Sequence, residues 1–241
     1  MRVCALLSGG KDSNYALYKA ILGGSQVSCI IVVESGREDS WMFHTINTHI
    51  ALLQSEAMGF SDRTYTIRVS GFKEREVEEL LEGLLRIRDK VDFDTIVAGA
   101  IASIYQKSRI DSIAKRLNIK IYTPAWGLNQ EEYMRAIIRE GFKYIITSIT
   151  VMGLPYKLLG VPIGLEEVEE IIRLSRKYGF NPSFEGGEAE TLVYDAPHYR
   201  KTICFKGRKV KIREFDYRVI IENAWLGSKG ENCQEIIDDW H

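Results

Sequence analysis

The sequence predicts an open, parallel, doubly wound α/β sheet over residues 1–126, a smaller C-terminal α+β domain over 127–226 and a polar tail over 227–241. Three observations carry this. Short apolar runs alternate with stretches at helical spacing through the first half, the grammar of strand-helix-strand units joined by right-handed crossovers. The first two runs, residues 3–7 and 29–33, are apolar at consecutive positions, as strands covered by helices on both faces must be. After Trp126-Gly127 the order changes, and two long β-rich runs near the end read as paired strands.

Residues 3–7 form the first run, ending in Ser-Gly-Gly, and residues 29–33 the second, ending in Glu34, Ser35 and Gly36. Between them, residues 14–22 carry Ala16, Leu17, Ala20 and Ile21 at helical spacing and stop at Gly23-Gly24. A helix around 49–58, a strand near 64–69, a helix over 73–88 and a strand at 95–98 continue the pattern. A helix over 103–117 and a short strand at 120–122 complete it. Val77, Leu80, Leu81, Leu84 and Leu85 make the 73–88 helix an amphipathic cover for the sheet. The first strand is expected at the centre.

Beyond the boundary come a helix (130–139), a strand (144–149), an irregular Gly/Pro-bearing stretch (153–164) and a helix (166–178). The paired runs are 201–212 and 217–226. No Pro/Gly/Ser-rich linker marks the boundary. The tail is polar, with an acidic pair near its end, and is expected to be loosely held.

Composition bounds the function. With 241 residues, 45% apolar, the chain can bury a full core, and 20 Gly and 5 Pro exclude dominant disorder. Lys+Arg (32) nearly balances Asp+Glu (33), so no whole-protein basic field recruits nucleic acid, and no stable nucleic-acid partner is expected. No apolar stretch reaches the roughly 18 residues of a membrane span, and the first run is too short for a signal-peptide core. A soluble, cytoplasmic protein without a membrane partner is expected. Cys4, Cys29, Cys204 and Cys233 are scattered, with no CxxC pair and no zinc-type Cys/His spacing, and are expected to be thiols rather than ligands or disulfides.

Ser8-Gly9-Gly10-Lys11-Asp12-Ser13 lies between the first strand and the first helix, where an open α/β sheet binds ligands. The glycines let backbone N–H groups turn inward as an anion nest. The helix N-terminus, Lys11 and the Ser8 and Ser13 hydroxyls add to it, so a polyanion is favoured. A plain turn in which Asp12 or Ser13 caps the helix is the alternative. Lys11 is followed by Asp12, so Walker spacing is absent, and so is GxGxxG. A Walker NTPase and a Rossmann dehydrogenase are excluded.

Two further patches bear polar chemistry. The strand ending at Ala98 runs into Gly99-Ala100-Ile101, then Ser103, Tyr105, Gln106 and Arg109. Gly99 suits close approach by a nucleotide, and Gln106 and Arg109, three apart, share a helical face. A solvated face is the alternative; a local ion pair is not, because Asp111 is off the Arg109 face. Val33 and Glu34 end the second strand, where adenine or ribose would be read. In residues 181–191, Glu185, Glu188 and Glu190 surround Gly186-Gly187 ahead of Thr191 and Leu192-Val193-Tyr194. If extended there, Glu188 and Glu190 project from one face as a site for Mg²⁺ or a positively charged substrate. An acidic surface turn is the alternative.

SGGKDS resembles the PP-loop of the ATP pyrophosphatases, which split ATP into AMP and pyrophosphate while adenylating a substrate oxygen. That likeness implies a HUP-like sheet, with Asp12 positioning Mg²⁺ and Lys11 stabilising phosphate charge; the helix cap stays open for Asp12. SGGKDS, HTIN (His44 to Asn47), GAIxSxYQ (Gly99 to Gln106) with Arg109, and EGGExET (Glu185 to Thr191), in this order, resemble the diphthine-ammonia ligase family. The likeness runs from Arg2 to about Pro197. The family often has a further Gly before its EGGE, where this chain has Phe184, which puts the local turn in question.

The resemblance implies that ammonium condenses with the carboxylate of diphthine on translation elongation factor 2, through an acyl-adenylate, with ATP and Mg²⁺ as cofactors. It implies catalytic roles for Lys11, Asp12 and Glu188. Nucleotide contacts are implied for residues 8–13, Val33, Glu34, His44, Gly99, Ala100, Gln106 and Arg109, and substrate contacts for Glu185, Gly186, Gly187, Glu188, Glu190 and Thr191. No glutaminase-like cysteine constellation is visible, which suits free ammonium. Diphthine carries a trimethylammonium group, which carboxylates and aromatic faces hold without hydrogen bonds. Glu188 and Glu190, with nearby aromatics such as Tyr194, are expected to help receive that cation or the ammonium, although for Tyr194 itself core packing is the favoured role. No catalysis is assigned to His49.

A PP-loop tRNA thiolase and a non-catalytic ATP/AMP-binding regulatory module are the rival readings. The thiolase needs cysteines beside the nucleotide and a basic surface, and the module has no use for the glutamates. The oligomeric state is open, a homo-oligomer included.

Overall fold

In the computed structural model, which describes residues 1–36, 48–99, 101 and 103–238, the chain divides into units Met1–Trp126 and Gly127–His241. The first unit contains β1 (Arg2–Leu6), α1 (Lys11–Leu22), β2 (Gln26–Ser35), α2 (Thr48–Met58) and β3 (Thr64–Val69). It continues with α3 (Arg75–Arg88), β4 (Thr95–Val97), α4 (Ile104–Leu117) and β5 (Lys120–Tyr122). The strands form one sheet in the order β3-β2-β1-β4-β5, every neighbouring pair parallel. β1 is central, as expected. The chain runs outward from β1 to β3, then returns to place β4 on the other flank, so the order reverses between β1 and β4. Open α/β sheets bind ligands at that switch point.

The core follows from the consecutive apolar runs. Cys4, Cys29, Ile31, Ile67 and Ile96 pack under Val77, Leu80, Leu81 and Leu84 of α3 and Ile113 of α4. Each fully buried aliphatic side chain contributes about 1.5–3 kcal/mol. Leu85, expected on the apolar face of α3, is 48% exposed, and Ile87 is buried instead. Gly83 lets α3 lie close on the sheet: a Cβ there would sit 2.6 Å from the Ile67 side chain.

The second unit contains α5 (Gln130–Arg139), β6 (Lys143–Ile149), α6 (Leu165–Tyr178) and β7 (Ala189–Asp195). β8 (Thr202–Arg213), β9 (Asp216–Gly227) and β10 (Gln234–Asp238) follow. Its sheet has the order β10-β8-β9-β6-β7, antiparallel except for β10 on β8. This is the expected α+β arrangement. Among the described residues, no helix is long and apolar enough to cross a membrane.

Two expectations are corrected. The tail is not loosely held: residues 234–238 form β10, Gly230 N donates to Thr202 Oγ1 (2.8 Å) and Gln234 Nε2 to Ile203 O (2.8 Å). Lys229 Nζ bonds Asp195 and the Ala196 carbonyl. An edge strand is held by its backbone ladder, so it needs no apolar alternation to announce it. The cysteines are paired, Cys4 with Cys29 (Cα–Cα 4.5 Å) and Cys204 with Cys233 (4.9 Å). Cys4 and Cys29 are register partners on β1 and β2, an adjacency that sequence spacing does not reveal.

Candidate active site

The SGGKDS loop owes its shape to two backbone states. Gly9 takes φ 93°, left-handed backbone that glycine adopts freely. Gly10 is extended and is the N-cap of α1, with no side-chain cap, so Lys11, Asp12 and Ser13 already form the first helical turn. Asp12 is therefore not the cap. Ser8 N donates to Ser13 Oγ (3.2 Å), and the two hydroxyls lie 3.1 Å apart.

Buried amides hold the loop from behind. Gln54 Nε2 donates to Gly9 O (2.8 Å) and Asn14 Nδ2 to Gly10 O (2.9 Å), with both side chains 0% exposed. With those carbonyls engaged in the interior, the electropositive end of α1 is left for an anion. Lys11 is 1% exposed, its Nζ 2.9 and 3.0 Å from the two Asp12 carboxylate oxygens. Neither Asn14 nor Gln54 was picked out by motif. Their only signal is an amide on an otherwise apolar helix face.

The junction after β4 meets this loop. A Cβ on Gly99 would lie 2.5 Å from Ser13 N and 2.6 Å from Asp12 C. Gly99 thus admits the first turn of α1, a close approach within the chain itself. Ser103 caps α4, accepting from Gln106 N (3.4 Å). Ala100 and His44, with the rest of the HTIN segment, lie outside the described residues.

Arg109 is not on a plain solvated face. Its guanidinium lies 3.8 Å from the Tyr105 ring centroid and bonds Glu74, the N-cap of α3, which takes φ 64°. The guanidinium holds the Glu74 carboxyl below its ordinary range, and Glu74 in turn raises Arg109. The carboxylate comes from the start of another helix, not from α4 itself, where Asp111 pairs with Lys107 (2.7 Å). Val33 packs into the core near the end of β2, leaving its backbone as the group at the strand end. Glu34 faces Arg68 across the β2–β3 pair at 3.1 Å.

In the second unit the EGGE segment is a closed loop. Glu188 precedes β7, and its carboxylate turns back: Asn181 N donates to Oε1 (2.9 Å) and Gly186 N to Oε2 (2.8 Å). The expected shared face of Glu188 and Glu190 is therefore not formed. Ser183 N donates to Asn181 Oδ1, Phe184 N to Asn181 O and Gly187 N to Phe184 O. Thr150 Oγ1 donates to Gly187 O at 2.6 Å.

Phe184 takes φ 67° with its ring buried. The position thus uses the backbone state that the family's glycine would adopt without strain, and burial of the ring offsets about 1–2 kcal/mol of it. Glu190 and Thr191 lie on β7 opposite Ser148 and Ile146, half-buried, as is Glu185. Tyr194 is buried edge-on against Phe205 (6.3 Å), the core packing favoured for it from the sequence.

Among the described residues, three or more His, Cys, Asp or Glu ligand atoms converge only at Cys204, Glu231 and Cys233, where the cysteines are bonded to each other. Asp12 is the one carboxylate within the SGGKDS segment, paired there with Lys11. That fits Mg²⁺, which takes one or two carboxylates and completes its shell with phosphate oxygens and water.

Residues 1–121 match the diphthamide synthase N-terminal domain and residues 129–231 the diphthamide synthase C-terminal domain. A diphthine–ammonia ligase of Rattus norvegicus is 35% identical, covering 98% of this chain and 94% of that protein. One of Homo sapiens is 36% identical, covering 90% and 87%. A crystal structure described as a tRNA methyltransferase subunit from Methanocaldococcus jannaschii aligns with TM-score 0.42 and 18% identity, over 82% of this chain and 98% of that one. A likeness at that level carries no argument about activity.

Proposed function

The chain belongs to the diphthamide synthase family, and on that premise we propose that it amidates the diphthine carboxylate of elongation factor 2 with ammonium, cleaving ATP to AMP and pyrophosphate. One observation supports this above the others: the SGGKDS loop is braced by buried Gln54 and Asn14 and met by Gly99, a built anion cradle rather than a turn. A carboxylate is a poor electrophile towards ammonia. ATP supplies the activation when bound, making an acyl-adenylate with pyrophosphate as leaving group.

The chain's own groups do the rest. Ser8, Ser13 and the first turn of α1 hold the departing phosphates, and Lys11 offsets the charge that develops on them. Its burial makes that charge count for more than it would in water. Asp12 holds Mg²⁺ beside Lys11. Gln106 and Arg109, from the junction that meets the loop, contact the nucleotide, and the EGGE loop receives the cationic part of the substrate. A cytoplasmic setting goes with an elongation-factor substrate.

The test is to incubate the protein with ATP, Mg²⁺, ammonium and diphthine-bearing elongation factor 2. AMP should form in step with the amide. Accumulation of ADP, or amide formation without nucleotide cleavage, would overturn the reading. A requirement for tRNA and a sulfur donor would favour a thiolase, and ATP binding without AMP a regulatory module.

A further inference from the structure

Glu188 has the residue type of a substrate contact but the bonding of a brace. Its two oxygens accept backbone N–H groups from both ends of the 181–186 segment, at 2.9 and 2.8 Å. Hydrogen bonds to an ionised acceptor are the stronger kind. Around this clamp, the amides of Ser183, Phe184 and Gly187 also bond inside the loop. Gly186 is small for the same reason: the three heavy atoms nearest a Cβ there would all be Glu188 carboxyl atoms, the closest at 2.7 Å. Its φ lies outside the left-handed region, so a Cβ there would meet the Glu188 carboxylate rather than strain the backbone, and would displace that carboxylate.

We propose that Glu188 is a positioning residue that locks the EGGE loop, and acts on the substrate through the shape of that loop rather than by contact. The inference rests on the functional reading above and assigns a role within its substrate site. With one backbone donor on each oxygen, the Glu188 carboxylate is turned towards the loop's own backbone, where it fixes the loop's shape. Glu185 sits inside the loop that the clamp closes, between the two backbone donors.

The experiment uses the full-length protein with Glu188→Gln, Glu188→Ala, Gly186→Ala and the double variant Gly186→Ala/Glu188→Ala. Amide hydrogen exchange over residues 181–187 should speed up by about 10–100-fold in each single variant, the scale of a lost charge-assisted hydrogen bond. With ATP, ammonium and diphthine-bearing elongation factor 2, each should raise KM for the protein substrate by about tenfold or more, leaving KM for ATP and kcat within about threefold.

Because both sites act through one clamp, the double variant should be no worse than the worse single variant, rather than showing the product of the two effects. Unchanged exchange in Glu188→Gln would overturn the proposal. So would a collapse of kcat in Glu188→Gln beside a near-normal Gly186→Ala, which would put Glu188 on the substrate itself. If the unsubstituted protein forms no AMP with this substrate, the functional reading fails, and the exchange data still decide the clamp.

Discussion

Gly99→Ala puts one methyl where the chain has no room. Its Cβ would lie 2.5 Å from Ser13 N, 2.6 Å from Asp12 C and 2.8 Å from Asp12 O. These are backbone atoms of the first turn of α1, so no rotamer change relieves the overlap. Ordinary contact begins near 3.4 Å, so the two junctions must part by roughly 1 Å. A displacement of that size at a catalytic loop costs on the order of 10²-fold in turnover. Overpacking should also cost about 1–3 kcal/mol of stability, a fall of several degrees in Tm. The assay is AMP release against ATP concentration, at a temperature where circular dichroism shows the variant folded. kcat/KM for ATP should fall by about 10²-fold, with KM for the protein substrate within about threefold. A folded variant with unaltered ATP efficiency would refute the reasoning.

Lys11→Met keeps the stem and removes the charge, so AMP release should fall by about 10²–10³-fold with the fold intact; a loss under tenfold would count against Lys11 at the phosphates. The disulfides close loops of 25 and 29 residues, each contributing about 3 kcal/mol. Unfolded without reductant, the protein should show no reactive thiol, and Cys233→Ser should speed amide exchange in β10; four titratable thiols would contradict the pairing. Burial, with Lys229 adding to it, lowers the His198 imidazole to about 3 from 6.5. The folded state keeps the ring neutral while the unfolded chain binds a proton below 6.5, so stability is full above that pH. It should decline as pH falls towards 3, by at most about 1.4 kcal/mol per pH unit. Equal unfolding slopes for wild type and His198→Gln between pH 6 and about 4 would dismiss this contribution.

The parallel sheet was legible because β1 and β2 are apolar at consecutive positions and the helices between strands are not. The SGGKDS loop was legible because phosphate chemistry and a strand-to-helix junction coincide in six consecutive residues. What escaped depends on register and distance. Cys4 meets Cys29 only because β1 and β2 align in one register. Glu74 reaches Arg109 from another helix, across 35 positions. Glu188 was read from strand alternation, but β7 begins one residue later, and the carboxylate follows its backbone donors instead. β10 escaped because an edge strand with mostly exposed side chains leaves no periodic apolar trace.

The strand order also bears on how the protein is made. Every strand of the first sheet lies within residues 2–122, so that unit can close while the rest is still being synthesised. The second sheet differs: β8 waits for β10, which emerges after its other strands, and Cys204 for Cys233. Until those last residues are made, the nascent chain therefore carries β8 as an unpaired rim, with Cys204 still a thiol.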